Sequence, residues 1–555
     1  MTEVKLQDMT GSRDSLPRQP DEESDRSKPP GLDSEAQQSN AQDAQAPPNH
    51  LSGLKLFSLL ASLYLCIFCL AMDKTMLSPA LGSITTEFGT VKDVGWYTSS
   101  YLLSTASVQP LYGAIYKSFD TKWTYVVALV IFEAGSLMAA LSPTSSVLIL
   151  GRAICGLGDA GMASGTYVIL AQTLPLHKRA AFFGLLGAVW GVASVLGPLL
   201  GGFFTEHLTW RWCFWINLPI GGVALVVVLF VFNGSGKSSK GPSLLSRIRQ
   251  LDLLGAAALV PAVVMLLLAI QWGGTEFPWK SPTIIGLFIG SGVLILLFGG
   301  IQQRVQDNGL LPPRFFKNRD VCSALMYSFF FGASYFAIVP YVSIQDASAV
   351  QAGLRLLPLS ISAVLSSILS GIIIGALGNY NAIILGETAL MCIGAGLITT
   401  FSLDTPMGHW FGFEVILGLG VGVGFQAGQV VVQNSLSYDL LSQATSNVQF
   451  FMSLGGAVSV AAAQATFQNG VVEVMAHDTP QVPPSVALNT GASELTETLN
   501  GLGLSPSTVT AIRNAYMSGL RNAYYVSTAM SLCAFLAALG LRWKRLSKTP
   551  AAKKT

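Results

Sequence analysis

Apolar runs long enough to cross a lipid bilayer recur along almost the whole chain of 555 residues. A transmembrane helix needs roughly 20 consecutive, mostly apolar residues, and fourteen segments come close to that length. Because lipid offers no hydrogen bonds to an exposed backbone, runs of this kind fold as helices. The pattern therefore predicts an all-α polytopic membrane protein with spans at 54–72, 95–116, 124–141, 147–171, 181–204, 213–232, 252–271, 283–301, 321–341, 354–377, 382–401, 410–432, 443–466 and 522–541.

Residues 1–50 differ from the rest of the chain in composition. They are rich in Asp, Glu, Ser, Gln and Pro and carry almost no aromatic residues. Such a segment cannot bury enough apolar surface to fold, and it has no apolar core that would make it a signal peptide. We expect a disordered cytoplasmic tail.

Composition narrows the classes of function. Asp, Glu, Lys and Arg make up 11% of the residues, against about a quarter in a typical soluble protein. A net charge of +2 gives no basis for a nucleic-acid partner. The seven cysteines lie within apolar runs, where they are expected to fill helix contacts. They indicate no disulfide framework, and we expect no metal site and no cofactor.

Residues 234–238 read Gly-Ser-Gly-Lys-Ser and resemble the end of a phosphate-binding loop. The full pattern needs a glycine where this chain has Val231, and it needs a preceding strand rather than a transmembrane helix. We therefore expect a flexible cytoplasmic linker here and no ATP site.

The distribution of Lys and Arg predicts the orientation. With the N-terminus in the cytoplasm, 24 of the 32 basic residues fall in inside segments, 6 fall outside, and Arg152 and Arg355 lie within spans. Positive charge accumulates on the cytoplasmic side of membrane proteins. Both termini are therefore expected inside, with the largest outside loop at 467–521.

Ionisable residues within spans are costly and are candidates for function. Arg152 and Asp159 are seven residues apart, two turns along one helix face. An arginine beside carboxylates in a low-dielectric interior can hold or release a proton. The candidate proton-coupling residues are Asp73, Glu133, Arg152 and Asp159; the alternative is a static charge cluster that fixes helix packing. Arg355, Glu387 and Glu414 are further charged residues within spans.

The fifth span carries small residues and a proline at Gly184, Gly197, Pro198, Gly201 and Gly202. Glycines on one face let helices approach closely, and proline distorts the hydrogen-bond ladder. Such a helix is suited to act as a seam between two moving bundles, although ordinary tight packing would use the same residues.

These motifs resemble the major facilitator superfamily, in its fourteen-span drug:proton antiporter branch. The fifth span matches the antiporter signature, with Ala193 where a glycine is usual. The most specific match is Trp210-Arg211-Trp-Cys-Phe-Trp-Ile-Asn217-Leu-Pro-Ile-Gly221. The other matching segments are Leu70–Thr75, Gly151–Gly158, Gln271-Trp272-Gly273-Gly274 and Leu311–Lys317, the last two resembling fungal members.

One signature of the family is altered. The loop after the second span normally carries an Asp and a Gly where this chain has Lys117 and Asp120. In the family this loop latches two bundles together on the cytoplasmic side. The change predicts an altered latch, which Asp120 and Lys122 can rebuild in part; Gly113 keeps the glycine that begins the signature.

The resemblance implies a major facilitator fold of two six-helix bundles plus two linking helices. The expected segments are a tail (1–50), a first bundle (51–232), linkers with spans 7–8 (233–320), a second bundle (321–541) and a basic cytoplasmic tail (542–555). Substrate would bind near the midplane, and rocking of the bundles would give alternating access.

The function that the resemblance implies is proton-coupled export, not enzymatic catalysis. Its partners would be a proton, the bilayer and a small hydrophobic or amphipathic compound such as a fungal secondary metabolite, toxin or drug. The expected location is the plasma membrane, with a vacuolar or vesicle membrane as the alternative. A proton-coupled importer of iron-siderophore complexes is the second hypothesis. Candidate substrate-binding side chains are Gln345, Glu414, Gln426 and Gln429.

Overall fold

The computed structural model describes residues 52–90, 93–234, 244–274, 276–342, 355–403, 405–489 and 495–545. Within these ranges the chain is helical and forms only two isolated β-bridges, Gly273–Phe277 and Asn379–Arg545. The predictions for the 1–50 tail, for most of the 234–238 segment and for Gln345 lie outside the described residues.

Twenty-one α-helices and one short 3₁₀-helix, Gln306–Asn308, follow one another along the described chain. In order they are α1 (Gly53–Thr75), α2 (Leu77–Phe88), α3 (Val94–Ser118), α4 (Thr121–Ala140), α5 (Ser145–Thr173), α6 (Leu176–His207), α7 (Trp212–Trp215), α8 (Asn217–Val231), α9 (Leu244–Arg249), α10 (Leu253–Trp272), α11 (Pro282–Val305), α12 (Arg314–Lys317), α13 (Arg319–Val342), α14 (Leu357–Leu377), α15 (Tyr380–Ile398), α16 (Met407–Val421), α17 (Gly424–Ser435), α18 (Tyr438–Asp478), α19 (Pro484–Asn489), α20 (Leu495–Gly501) and α21 (Pro506–Leu539).

Thirteen helical segments of the described chain are long and apolar enough to cross a membrane. The predicted span 95–116 is also a helix, α3, and its 25 residues are long enough. It falls short in hydropathy because Ser, Thr and Gln recur along it, with Ser100, Thr105, Ser107 and Gln109 all buried. Within the described residues, each of the fourteen predicted runs thus contains a helix, and the protein is a multi-pass membrane protein.

The two longest helices near the C-terminus extend beyond the predicted spans. α18 runs for 41 residues and α21 for 34, so both enter the segment predicted as a loop at 467–521. The extensions pack on each other through Phe467 and Tyr516, whose rings lie 5.0 Å apart, and through Gly470 and Gly519. Polar residues such as Glu473, His477 and Asn514 recur along both extensions and lower their hydropathy, so no apolar run marks them.

The two helices predicted as links, α10 and α11, differ in how much of their surface is covered. α10 packs on α3 and α18 through a shared apolar cluster that includes Leu259, Leu103 and Phe450. α11 is the least buried of the candidate spans and exposes Ile289 and Leu296, which are 63% and 78% exposed. An exposed apolar face of this kind is suited to contact lipid.

Candidate functional site

A fully buried ion pair joins the end of α1 to the first turns of α5. Nη1 of Arg152 contacts Oδ2 of Asp73, and both side chains are at most 1% exposed. Nε of Arg152 donates to the carbonyl of Tyr97 at 2.9 Å, and Nδ2 of Asn217 donates to Oδ1 of Asp73 at 3.1 Å. A buried charge pair is tolerated only when its remaining polar atoms find partners, and α3 and α8 supply them here.

Aromatic rings complete the surroundings of Arg152. Its guanidinium carbon lies 4.4 Å from the ring centre of Tyr101 and 5.7 Å from that of Phe214. A guanidinium over an aromatic face is attracted by the ring quadrupole, more strongly where water is excluded. The rings therefore stabilise the cation in addition to its contacts with Asp73 and the Tyr97 carbonyl.

Asp159 pairs with Lys74, which is not among the predicted coupling residues. Its Oδ2 lies 2.9 Å from Nζ of Lys74 and accepts a hydrogen bond from Thr105 at 3.1 Å. Arg152 and Asp159 are two turns apart, roughly 10 Å along the helix axis, so they meet different groups. The consecutive residues Asp73 and Lys74 of α1 thus contact two positions of α5 in a ladder of opposite charges.

The two rungs of this ladder differ in exposure. The Arg152–Asp73 ion pair is fully buried, whereas in the Lys74–Asp159 pair the lysine side chain is 23% exposed. Lys74 follows the first predicted span, 54–72, where a lysine ordinarily serves only as a signal of topology. Its place beside Asp73 was the signal that could have identified it.

Glu133, the fourth predicted coupling residue, lies on α4 close to this ladder but is not hydrogen-bonded to it. Both of its carboxyl oxygens are buried without a hydrogen-bond partner among the described residues. A buried ionised carboxylate with no partner is costly. Glu133 is therefore a place where a proton can be held.

The motif from Trp210 to Gly221 organises the surrounding helices. Nε1 of Trp210 and Nη1 of Arg211 donate to the Glu87 carboxylate at 2.6 and 2.7 Å, and Arg211 also donates to the Ser142 carbonyl at 2.8 Å. Partial burial raises the pKa of Glu87, but these hydrogen bonds outweigh it and the net pKa is lowered. The ionised carboxylate fixes the end of α2 against the chain that leads into α8.

The glycines of α6 face two different helices. A β-carbon on Gly184 would lie 2.3 Å from the Ser367 carbonyl on α14, whereas one on Gly197 would lie 1.9 Å from Oγ1 of Thr75. A β-carbon on Gly201 would lie 2.3 Å from the carbonyl oxygen of Met76, whereas one on Gly202 would have nothing within 4 Å. Pro198 lies inside α6 within the second contact region, directly after Gly197. The predicted seam residues therefore form two close contacts, and Gly202 belongs to neither.

In the altered loop after α3, Lys117, Asp120 and Lys122 each make a defined contact. Nζ of Lys117 donates to the Asp307 carbonyl at 2.5 Å, which joins α3 to the turn after α11. Asp120 caps α4 by accepting from the backbone of Lys122 at 3.0 Å, and Nζ of Lys122 donates to the Leu229 carbonyl at 2.7 Å. Asp120 and Lys122 thus contact α4 and α8, whereas Lys117 reaches the turn after α11.

Further contacts close the molecule at this end. A β-carbon on Gly113 would lie 2.9 Å from Cα of Gln443, so α3 and α18 touch. Nε2 of Gln443 donates to the Gly309 carbonyl at 2.5 Å, and Nδ2 of Asn447 donates to the Leu310 carbonyl at 2.8 Å. The turn at 306–310 is therefore held by both helices.

The opposite end of the same helices is open. A cavity of about 520 Å³ lies where α3 begins and α10 ends. Its lining comes from these helices, from Phe336 of α13 and from the 453–469 stretch of α18. Lys74 and Thr105 also line it, so the cavity reaches the more exposed rung of the charge ladder.

The described substrate-binding candidates lie elsewhere. Gln426 and Gln429 are fully buried and donate to the carbonyls of Ser367 and Thr445 at 3.1 and 3.0 Å. Glu414 is fully buried, and its carboxyl oxygens have no hydrogen-bond partner among the described residues. None of the three is among the residues that line the 520 Å³ cavity. Glu387 accepts from the backbone of Val423 at 2.7 Å, where α16 gives way to α17.

Comparison with known proteins places this architecture in a family. The model of the Major Facilitator Superfamily matches residues 63–460, more than half of the chain. The efflux pump roqT of Penicillium rubens is 39% identical over 496 residues, covering 88% of this chain and 91% of that protein. The efflux pump aflT of Aspergillus parasiticus is 38% identical over 513 residues, covering 91% of this chain and 99% of that protein.

Solved structures agree on the fold. The human organic anion transporter MFSD10 superposes with a TM-score of 0.57 at 13% identity, covering 88% of this chain and 100% of its own. The proton:xylose symporter XylE gives 0.55 at 13% identity, covering 88% of this chain and 98% of its own. The predicted likeness to fungal efflux pumps is confirmed, and the chain belongs to the major facilitator superfamily.

Proposed function

We propose that this protein exports small hydrophobic or amphipathic organic compounds from the cell in exchange for protons. The observation that carries the proposal is the ladder of buried charges on α1 and α5, one rung of which opens into a cavity. Relatives named as efflux pumps over almost the whole chain support the direction of transport. The expected substrate is a fungal secondary metabolite, toxin or drug.

Proton coupling is assigned to Asp73, Glu133, Arg152 and Asp159. Protonation of a carboxylate in this ladder neutralises one partner of an ion pair, so that its Arg or Lys partner can pair with another group. In a low-dielectric interior, such a change in electrostatic free energy is large enough to alter the packing of α1 against α5. Glu133, which lacks a hydrogen-bond partner among the described residues, provides a second place for the proton.

We assign both termini to the cytoplasm and the protein to the plasma membrane. The Lys117 end of α3 then faces the cytoplasm and is closed, while the 520 Å³ cavity faces outward. The bundles at 51–232 and 321–541 would rock on the contacts between α6 and α14 and between α3 and α18. The close approaches at Gly184 and Gly113 suit surfaces that slide without interlocking side chains.

Deletion of the gene in its host tests the direction of transport. An exporter predicts that the deleted strain accumulates an endogenous compound and becomes sensitive to it, and that the intact gene reverses both effects. If deletion instead lowers the uptake of an iron-siderophore complex and leaves tolerance unchanged, the importer hypothesis replaces this one.

A further inference from the structure

The seventh span contributes more than a link between bundles, because its end forms one wall of the cavity. Trp272 of α10 lies edge-on to Trp96 of α3, with ring centres 6.0 Å apart. Trp279, in the segment after α10, lines the same cavity and is 44% exposed. Three indole rings from two helices and a turn thus surround one opening.

The two glycines after Trp272 explain how this wall is built. Gly274 adopts a φ of +79°, which favours glycine, and its N–H donates to the Phe277 carbonyl at 2.8 Å. A β-carbon on Gly273 would lie 2.5 Å from the ring of Trp279, so the indole rests directly on the backbone. The Gln-Trp-Gly-Gly segment therefore fixes Trp279 in position.

The facing wall is a mixed surface on α18. Ala457, Ala461, Gln464 and Gln468 line the cavity at helical spacing, so they share one face of the helix. The apolar members lie deeper along α18, and the amides follow toward its C-terminal end. A flat apolar body can lie against the first pair while the amides meet polar groups.

The inner limit of the cavity carries a cation. Lys74 lines it and pairs with Asp159 at 2.9 Å, and Thr105 lines it while donating to the same carboxylate at 3.1 Å. An acceptor group that entered the cavity would therefore compete with Asp159 for the ammonium group. Occupancy of the cavity and the state of the charge ladder would then be linked.

We propose that this cavity is a binding site for an amphipathic compound with a planar aromatic body and an anionic acceptor group. The body lies between the indoles of Trp96, Trp272 and Trp279 and the face of α18, and the acceptor points toward Lys74. The end of the seventh span is then a specificity-determining wall. The inference rests on the proposed function, since the occupant is taken to be the exported compound.

Binding of 1-pyrenebutyrate to the full chain in lipid nanodiscs tests this site. This probe has a planar ring system and one carboxylate, and energy transfer from tryptophan reports its saturable binding. Trp279→Ala should weaken binding roughly tenfold, the loss expected for a stacked aromatic contact with its buried area. Trp543→Ala is the matched control, because Trp543 is 69% exposed and does not line the cavity.

Two further variants separate the site from a general loss of folding. Ala461→Phe fills the cavity without removing any wall group and should also abolish saturable binding. Lys74→Met should weaken binding of 1-pyrenebutyrate but leave the uncharged 1-pyrenebutanol within twofold. Unchanged affinity for 1-pyrenebutyrate in both Trp279→Ala and Ala461→Phe overturns the inference.

The two proposals fail in different ways. If the wild-type protein drives export with a proton gradient and the cavity variants bind and export normally, only the assignment of this site is wrong. If the variants lose binding as predicted but the wild-type protein moves nothing under a gradient, the site stands and proton-coupled export does not.

Discussion

A β-carbon on Gly221 would lie 1.6 Å from Oε1 of Glu133, so the carboxyl group of Glu133 occupies the space that a larger residue at 221 would fill. The same motif supplies Asn217, which donates to Asp73 at 3.1 Å and to Ser136 at 3.2 Å. The segment that most specifically marks the fourteen-span branch is therefore the one that shapes the surroundings of two candidate coupling carboxylates.

Gly221→Ala should disturb coupling with little loss of stability. The obstructing atom is the end of a flexible side chain, so Glu133 can rotate away. We expect gradient-driven transport to fall severalfold and the melting temperature to change little, measured on purified protein. Gly222→Ala is the matched control, because nothing lies within 4 Å of its β-carbon. Equal transport by the two variants would contradict the assigned role of Glu133.

Gly201→Ala should destabilise the protein. Its β-carbon would lie 2.3 Å from the backbone carbonyl of Met76, which cannot rotate away, and overpacking of this kind costs about 1–3 kcal/mol. The neighbouring Gly202→Ala has open space and should be neutral. Thermal unfolding in detergent measures both, and a Gly201→Ala protein as stable as Gly202→Ala would show that α1 and α6 are not closely packed.

Lys117→Ala should favour opening at the closed end. It removes the contact with the Asp307 carbonyl at 2.5 Å, and loss of about 1 kcal/mol there would populate the open state about fivefold more. The readout is labelling of a cysteine introduced at Ser446, which is fully buried next to Gly113. Lys122→Ala serves as control, because Lys122 donates to the Leu229 carbonyl and not to the 306–310 turn. Labelling at the same rate in both variants would rule out a latch at Lys117.

Orientation is testable independently of activity. A tag at residue 2 should be protected from protease added to intact cells, and a tag within 480–490 should be cut, because basic residues concentrate on the cytoplasmic side. Permeabilised cells provide the control, in which both tags are cut. The reverse pattern in intact cells would place the 520 Å³ cavity on the cytoplasmic side and contradict the outward-facing assignment.

The helices could be predicted from the sequence because burial in lipid imposes a long apolar run on nearly every span. α3 shows the limit of that signal, since its buried Ser, Thr and Gln residues lower its hydropathy below that of the other spans. Helix ends were less predictable. The extension of α18 to Asp478 depends on its partner α21, and such pairing is invisible in a hydropathy profile.

The partners of charged side chains could not be read from spacing alone. Arg152 and Asp159 share a helix face, but which residue of α1 each one meets depends on how the two helices are placed. The contacts of Lys74 with Asp159 and of Lys117 with the Asp307 carbonyl were unpredictable for a related reason. Both lysines lie near the ends of apolar runs, where a lysine is ordinarily a topology signal and rarely a contact between helices.

Proton-driven transport by reconstituted vesicles tests the central claim most directly. The compound that accumulates in the deleted strain would be offered to vesicles with and without an imposed pH gradient. The wild-type protein should move it only under the gradient. Arg152→Lys keeps the positive charge but removes the planar guanidinium that contacts Asp73 and the Tyr97 carbonyl. This variant should reduce the gradient-driven flux at least roughly tenfold while still binding the compound. Full gradient-dependent transport by an Arg152→Lys or Arg152→Ala protein, present at the wild-type level, would contradict the account.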